Sequence, residues 1–265
     1  MMDKFIIGRY VPSDSVIHRM DPRAKLLMVL IYICIVFLAN NWLSYGLLIL
    51  FTLIVIALTK IKPSFIIQGL KPVILLIILT LIIQLFFTKR GEVVFTLFGM
   101  DIYDEGIKMG VFISLRFTLL ILITSVMTLT TTPIEITDGL ETLLNPLKKV
   151  KFPVHELALM MSISLRFIPT LLEETDKIVK AQTSRGVDFS SGPLKERFQA
   201  VVPLLVPLFV GSFKRAEELA VAMEARGYRG GEGRTKYRAL SWHMRDTLLM
   251  GSLVILTILL IWTRS

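Results

Sequence analysis

Residues 72–87 read Pro72-Val73-Ile74-Leu75-Leu76-Ile77-Ile78-Leu79-Thr80-Leu81-Ile82-Ile83-Gln84-Leu85-Phe86-Phe87, without one charged side chain. A helix that crosses a bilayer needs about 20 mostly apolar residues, because a rise of about 1.5 Å per residue must cover a hydrocarbon core of about 30 Å. The run has no polar face and approaches that length, so it reads as a membrane span. Working outward, residues 26–39, 43–59 and 107–129 read the same way, and 247–262 closes the chain. The first of these is short. It is expected to begin inside Arg23-Ala24-Lys25, whose long side chains can snorkel to the interface.

Composition agrees with this reading. Hydrophobic residues make up 54% of the 265 and charged residues 19%, below the roughly 25% of a soluble domain, and the mean hydropathy is +0.67. A net charge of +9 raises nucleic acid as a ligand, yet no basic patch is interleaved with stacking aromatics, and membrane proteins hold positive charge in cytoplasmic loops. No nucleic-acid partner is expected. The single cysteine, Cys34, lies in an apolar run and reads as a small buried hydrophobe.

Basic residues orient the spans. Lys4, Arg9, Arg19, Arg23 and Lys25 precede the first, and Lys60, Lys62 and Lys71 lie after the second, whereas 88–106 carries Glu92, Asp101, Asp104 and Glu105 against Lys89 and Arg90. The N-terminus is therefore expected in the cytoplasm and Ser265 outside. Three regions follow: a membrane domain of four spans over 1–129, a cytoplasmic unit over 130–245 dense in both signs of charge, and a last span over 246–265. The fold class is all-α, with about five transmembrane helices and amphipathic helices on the cytoplasmic side.

The cytoplasmic unit opens with Thr132-Pro133-Ile134-Glu135, where a threonine cap, a proline at the first helical position and an early acid mark a helix start. That helix should reach about Leu144, before Asn145-Pro146. Residues 155–172 and 198–213 are apolar enough to resemble spans. The first carries Glu156 and Arg166 and runs on into Glu173-Glu174-Thr175-Asp176-Lys177, so its apolar residues form a stripe, as in a helix lying at the membrane interface. The second, with Pro203 and Pro207, is read the same way, ahead of a helix from about Lys214; if both crossed the membrane instead, the spans would number seven and the final topology would be unchanged.

Catalytic signals are missing. His18, His155 and His243 have no metal-ligand spacing, and the loop Gly227-Tyr228-Arg229-Gly230-Gly231-Glu232-Gly233-Arg234-Thr235 lacks the glycine and the Lys-Thr pair of a phosphate loop. No cofactor, metal or catalytic residue is assigned. Arg116, deep within a span, is a costly charge that asks for a structural partner or a functional one, and Arg166 stands as a second arginine of this kind. Two helix ends stand out instead. Ser184-Arg185-Gly186 and Ala225-Arg226-Gly227 each place a glycine where a helix stops and an arginine in its last turn. Ordinary C-capping accounts for one such end. Two matched ends would also present two guanidinium forks to carboxylates on a partner.

The chain resembles the transmembrane T components of energy-coupling factor transporters along nearly its whole length. The resemblance rests on Gly8-Arg9-Tyr10-Val11-Pro12-Ser13-Asp14-Ser15, His18-Arg19-Met20-Asp21-Pro22-Arg23-Ala24-Lys25 and Leu129-Thr130-Thr131-Thr132-Pro133. Further on it includes Leu165-Arg166-Phe167-Ile168-Pro169, Glu173-Glu174, Ala181-Gln182-Thr183-Ser184-Arg185-Gly186, Lys214-Arg215-Ala216-Glu217-Glu218-Leu219-Ala220 and Ala222-Met223-Glu224-Ala225-Arg226-Gly227-Tyr228. It implies that Ser184, Arg185, Gly186, Ala225, Arg226 and Gly227 dock into two ABC-type ATPase subunits. It also implies that the amphipathic helices cradle a small substrate-binding membrane protein, the S component, so that ATP hydrolysis elsewhere drives vitamin uptake through a subunit that is not an enzyme. A dedicated cobalt or nickel uptake module is the rival within the family. A membrane enzyme or an autonomous secondary transporter is the rival outside it.

Overall fold

A computed structural model describes residues 10–97, 100–187, 189, 193–230 and 239–264. Among the described residues the chain is helical apart from one antiparallel pair of strands, with a short 3-10 helix at Asn145–Val150. In order, α1 is Pro22–Val36, α2 Trp42–Thr59, α3 Pro63–Phe87, α4 Asp104–Thr130, α5 Pro133–Leu144, α6 Val154–Ser184, α7 Leu194–Ala225 and α8 Met244–Arg264. Gly8-Arg9, Ser190, Ser265 and the Gly231–Thr235 part of the glycine-rich loop lie outside the described residues.

Two compact units form, one within Gly8–Leu143 and Ala239–Ser265, the other within Leu144–Arg238. In the first unit α1, α2, α4 and α8 bury one apolar core around Tyr32, Val36, Tyr45, Leu48, Ile123, Val126, Leu253 and Leu260. Helix α3 leaves that core and lies along α4. Small residues explain the close approach: at Gly106 a methyl group would sit 3.2 Å from the Gln84 carbonyl, and at Gly110 3.5 Å from the Leu81 carbonyl. The Gly106-x-x-x-Gly110 spacing puts both on one face of α4, the device by which membrane helices pack when water cannot drive them together.

Among the described residues, five helices are long and apolar enough to cross a membrane: Trp42–Thr59, Pro63–Phe87, Asp104–Thr130, Val154–Ser184 and Met244–Arg264. The number equals the expected one, but the membership differs. Helix α1 has 15 residues, about 22 Å by its rise, while α6 reaches 31. At the start of α1, Lys25 is 3% exposed and does not snorkel. Its ammonium donates to the Thr130 carbonyl at the end of α4, 3.0 Å away, and to the His18 carbonyl at 3.2 Å. Cys34 is exposed on α1, not buried as expected, because the core side of that helix is taken by Tyr32, Ile35 and Val36.

Other expectations hold or change locally. Thr132 and Glu135 form a reciprocal capping box, Glu135 N–H donating to Thr132 Oγ1 and Thr132 N–H to Glu135 Oε2 at 2.9 Å. The stretch 88–106, read as a loop, contains β1, Val93–Leu97, antiparallel to β2, Met100–Tyr103. The stretch 198–213 is no separate helix, since α7 runs unbroken through Pro203 and Pro207. The two prolines are four apart, so both missing N–H groups fall on one face and the remaining ladder carries the helix.

Candidate functional site

The second unit is built on α6 and α7. They pack with Arg215 Nη2 2.7 Å from Glu174 Oε2, and a methyl group on Gly211 would touch Glu174 Oε1 at 3.3 Å. Beyond this ion pair, Ile163, Phe167 and Leu171 of α6 share an apolar cavity of about 320 Å³ with Ala216, Leu219 and Met223 of α7. Positions falling along α6 meet positions rising along α7, so the helices run antiparallel where they touch.

The two arginine-glycine ends have the same backbone. Arg185 has φ −88° and ψ 5°, and Arg226 has φ −88° and ψ 7°. The following glycines are left-handed, Gly186 at φ +89° and Gly227 at φ +73°. Gly186 N–H donates to the Thr183 carbonyl at 3.0 Å and Val187 N–H to Gln182 at 3.1 Å. Gly227 N–H donates to Glu224 at 2.8 Å and Tyr228 N–H to Met223 at 3.0 Å. Each end is a Schellman motif in the same register. A methyl group on either glycine would meet nothing within 4 Å. It is therefore the left-handed backbone, not crowding, that calls for glycine there, and the surface around each end is open.

Arg185 and Arg226 are exposed, and neither guanidinium is bonded to another described residue. Ser184 is turned back on its own helix, its hydroxyl donating to the Lys180 carbonyl at 3.0 Å, and Ala225 is exposed. Arg185 is eleven residues past Glu174 and Arg226 eleven past Arg215, about 16 Å along each helix. In an antiparallel pair the two forks therefore project from opposite arms. Structure does not gather the six residues into one pocket. It sets out two equivalent ends.

Arg166 is exposed on α6 with no partner among the described residues. Arg116, in the first unit, donates from Nη2 to the Tyr45 hydroxyl at 3.2 Å and lies 5.0 Å from the Phe37 ring centre. Among the described residues no group of three His, Cys, Asp or Glu side chains could hold a metal ion. The sequence alone assigns Glu174 and Arg215 no role. Their signal is a charge of each sign set on the apolar stripes of two helices, legible only once the helices are known to pair.

Across residues 13–237 the chain matches the CbiQ family, described as cobalt transport protein. It is similar to proteins named energy-coupling factor transporter transmembrane protein EcfT: 62% identical to that of Bacillus subtilis strain 168 and 55% to that of Listeria innocua, each over 100% of both chains. With the Streptococcus thermophilus protein of the same name the identity is 49%, again over 100% of both chains.

Proposed function

Because the chain belongs to the CbiQ/EcfT family of energy-coupling factor transporter transmembrane components, we propose that it carries the motion of two ABC-type ATPases to an exchangeable substrate-binding membrane protein, for uptake of a vitamin or related micronutrient. The family is one of transporter membrane subunits, not enzymes, and ATP hydrolysis belongs to the partners. The observation that carries the reading is the identity of the two helix ends: one Schellman motif, used twice, each with an exposed arginine fork free to take a carboxylate. Two equivalent ends on two arms suit two equivalent partners.

In this reading Ser184-Arg185-Gly186 and Ala225-Arg226-Gly227 are the ATPase contacts, the N-terminus and the second unit are cytoplasmic, and the apolar faces of α6 and α7 receive the substrate-binding protein. The family description also names cobalt transport, and a dedicated metal-uptake module is the second reading. The full-length relatives at 49–62% identity carry the energy-coupling name, which favours the first.

The test is co-purification of the ATPases with the double variant Arg185→Ala, Arg226→Ala. A charge-assisted hydrogen bond is worth about 1.5–3 kcal/mol, so losing one should weaken docking roughly ten- to a hundredfold. Lysine should rescue poorly, because an ammonium lacks the planar fork. Normal assembly and uptake by the double variant would reduce both residues to helix caps.

A further inference from the structure

Arg116 and its surroundings form a site that the coupling role does not use. Along α4, Lys108 precedes Arg116 by eight residues, about 12 Å, a separation that the common lean of helical side chains toward the N-terminus preserves. The guanidinium is found beside Phe37, which caps the end of α1, and Tyr45, the fourth residue of α2. It lies at the level of those helix ends.

Around it stand aromatic rings. Phe112 stacks on Tyr45 with centres 4.7 Å apart and takes Trp42 edge-on at 4.9 Å. Lys108 Nζ lies 5.8 Å from the centre of the same Phe112 ring. Phe37 and Trp42 are 56% and 60% exposed, and an outward-facing tryptophan at a helix end belongs, by its amphipathic ring, at the headgroup level of a bilayer. Neither cation is bonded to a carboxylate among the described residues. Tyr45 accepts one N–H of the guanidinium, Nε is without a partner, and no other hydrogen bond from Arg116 is formed to a described residue. Hydrocarbon supplies none, and an unpaired arginine at membrane depth is costly.

We propose that Arg116 binds the phosphodiester of an anionic phospholipid, with Phe37 and Trp42 flanking its glycerol and upper acyl chains and Lys108 supplying a second positive charge that favours an anionic headgroup. The guanidinium edge matches the paired oxygens of a phosphate, and the exposed ammonium of Lys108 adds a second positive charge two turns nearer the start of the same helix. A partner's carboxylate is less suited, since the two cations and two exposed rings are spread over three helices, two of which read as membrane spans.

Trp42 reports on the site directly. The full chain carrying Trp242→Phe and Trp262→Phe keeps Trp42 as its one fluorophore of this type and is reconstituted in phosphatidylcholine vesicles. These contain a small fraction of chain-brominated phosphatidylglycerol or, separately, chain-brominated phosphatidylcholine. Brominated phosphatidylglycerol should quench Trp42 more strongly, with an apparent preference of roughly fivefold for each basic side chain near the charged lipid. Arg116→Gln and Lys108→Gln should each lower that preference by about fivefold, with helix content unchanged by circular dichroism. Should Arg116→Gln not fold, the exposed Lys108→Gln variant and the wild-type preference still decide. Equal quenching by the two lipids in the wild type would leave a protein carboxylate as the acceptor and overturn the proposal, as would a preference unaltered in both variants. Abolition of the preference by excess inorganic phosphate would make the ligand a soluble anion, which also overturns it.

Discussion

Arg215 of α7 and Glu174 of α6 meet at 2.7 Å, and each lies eleven residues before the arginine that ends its own helix. The ion pair thus marks the point from which both arms are measured. Side chains about 30% and 28% exposed are neither free in water nor fully dry, so breaking the pair should cost about 1–2 kcal/mol, between the surface and buried limits. Glu174→Arg and Arg215→Glu should each lower thermal stability and uptake, and the double swap should recover a good part of both. A double variant no better than the singles would remove the pair from any role in holding the arms.

Gly186→Ala and Gly227→Ala test the caps apart from the arginines. With no neighbour within 4 Å, the only penalty is the left-handed backbone, about 1–2 kcal/mol. Asparagine should be tolerated better than alanine at both positions. Thermal unfolding in detergent checks this. If alanine is harmless to stability yet abolishes ATPase assembly, the open space around each glycine is itself part of the docking surface.

Gly106→Ala should loosen the α3 and α4 pair, because the new methyl would lie 3.2 Å from the Gln84 carbonyl, and the strain should cost roughly 1–3 kcal/mol. Gly46→Ala is the matched control, since its methyl meets nothing within 4 Å and alanine suits a helix better than glycine. Equal melting temperatures for the two variants would show that the seam does not depend on close approach.

His18 gives a pH dependence. Its Nε2 lies 3.0 Å from the Val11 carbonyl and its Nδ1 2.7 Å from the Ser15 hydroxyl, an arrangement that suits the neutral ring with the proton on Nε2. Burial pushes its pKa below the usual 6.5, and the charge of Lys25 acts in the same direction. Above pH 6.5 folded and unfolded states are both neutral at this site, so the full stability is present. As the pH falls below 6.5 the unfolded chain takes up a proton that the folded site resists, and stability declines toward the folded pKa. The wild type should lose more melting temperature than His18→Gln between pH 7.5 and 5. An equal loss would assign the effect to other groups.

Orientation is open to cysteine labelling in a Cys34→Ala background. Tyr103→Cys should react with an impermeant thiol reagent in intact cells, and Lys148→Cys should not. The reverse pattern would invert the topology drawn from the basic residues.

The apolar runs made the long helices plain from sequence, and Thr132-Pro133-Ile134-Glu135 marked the start of α5 because capping is local chemistry. The two arginine-glycine ends were equally plain, since a glycine stop depends only on φ. What escaped was what depends on neighbours. Nothing local told that α7 would carry Pro203 and Pro207 without breaking, that Lys25 would turn inward to the Thr130 carbonyl, or that Glu174 and Arg215 would face each other. The strands within 93–103 are hidden for another reason: their β-branched and aromatic residues lie between two far stronger apolar signals.

The buried carboxylate of Asp246, 0% exposed, accepts the N–H of His243 at 2.8 Å and that of Asp21 at 2.9 Å. Asp21 is itself the cap of α1, so the first helix of the bundle is fastened by a residue translated 225 positions later. At about 5–20 residues per second the ribosome needs on the order of 11–45 s to deliver it. Throughout that interval the Asp21 N–H at the head of α1 lacks the acceptor it has in the folded chain. The first helix is therefore latched only once α8 has been made: a product that stalls before it carries a cap without its carboxylate partner.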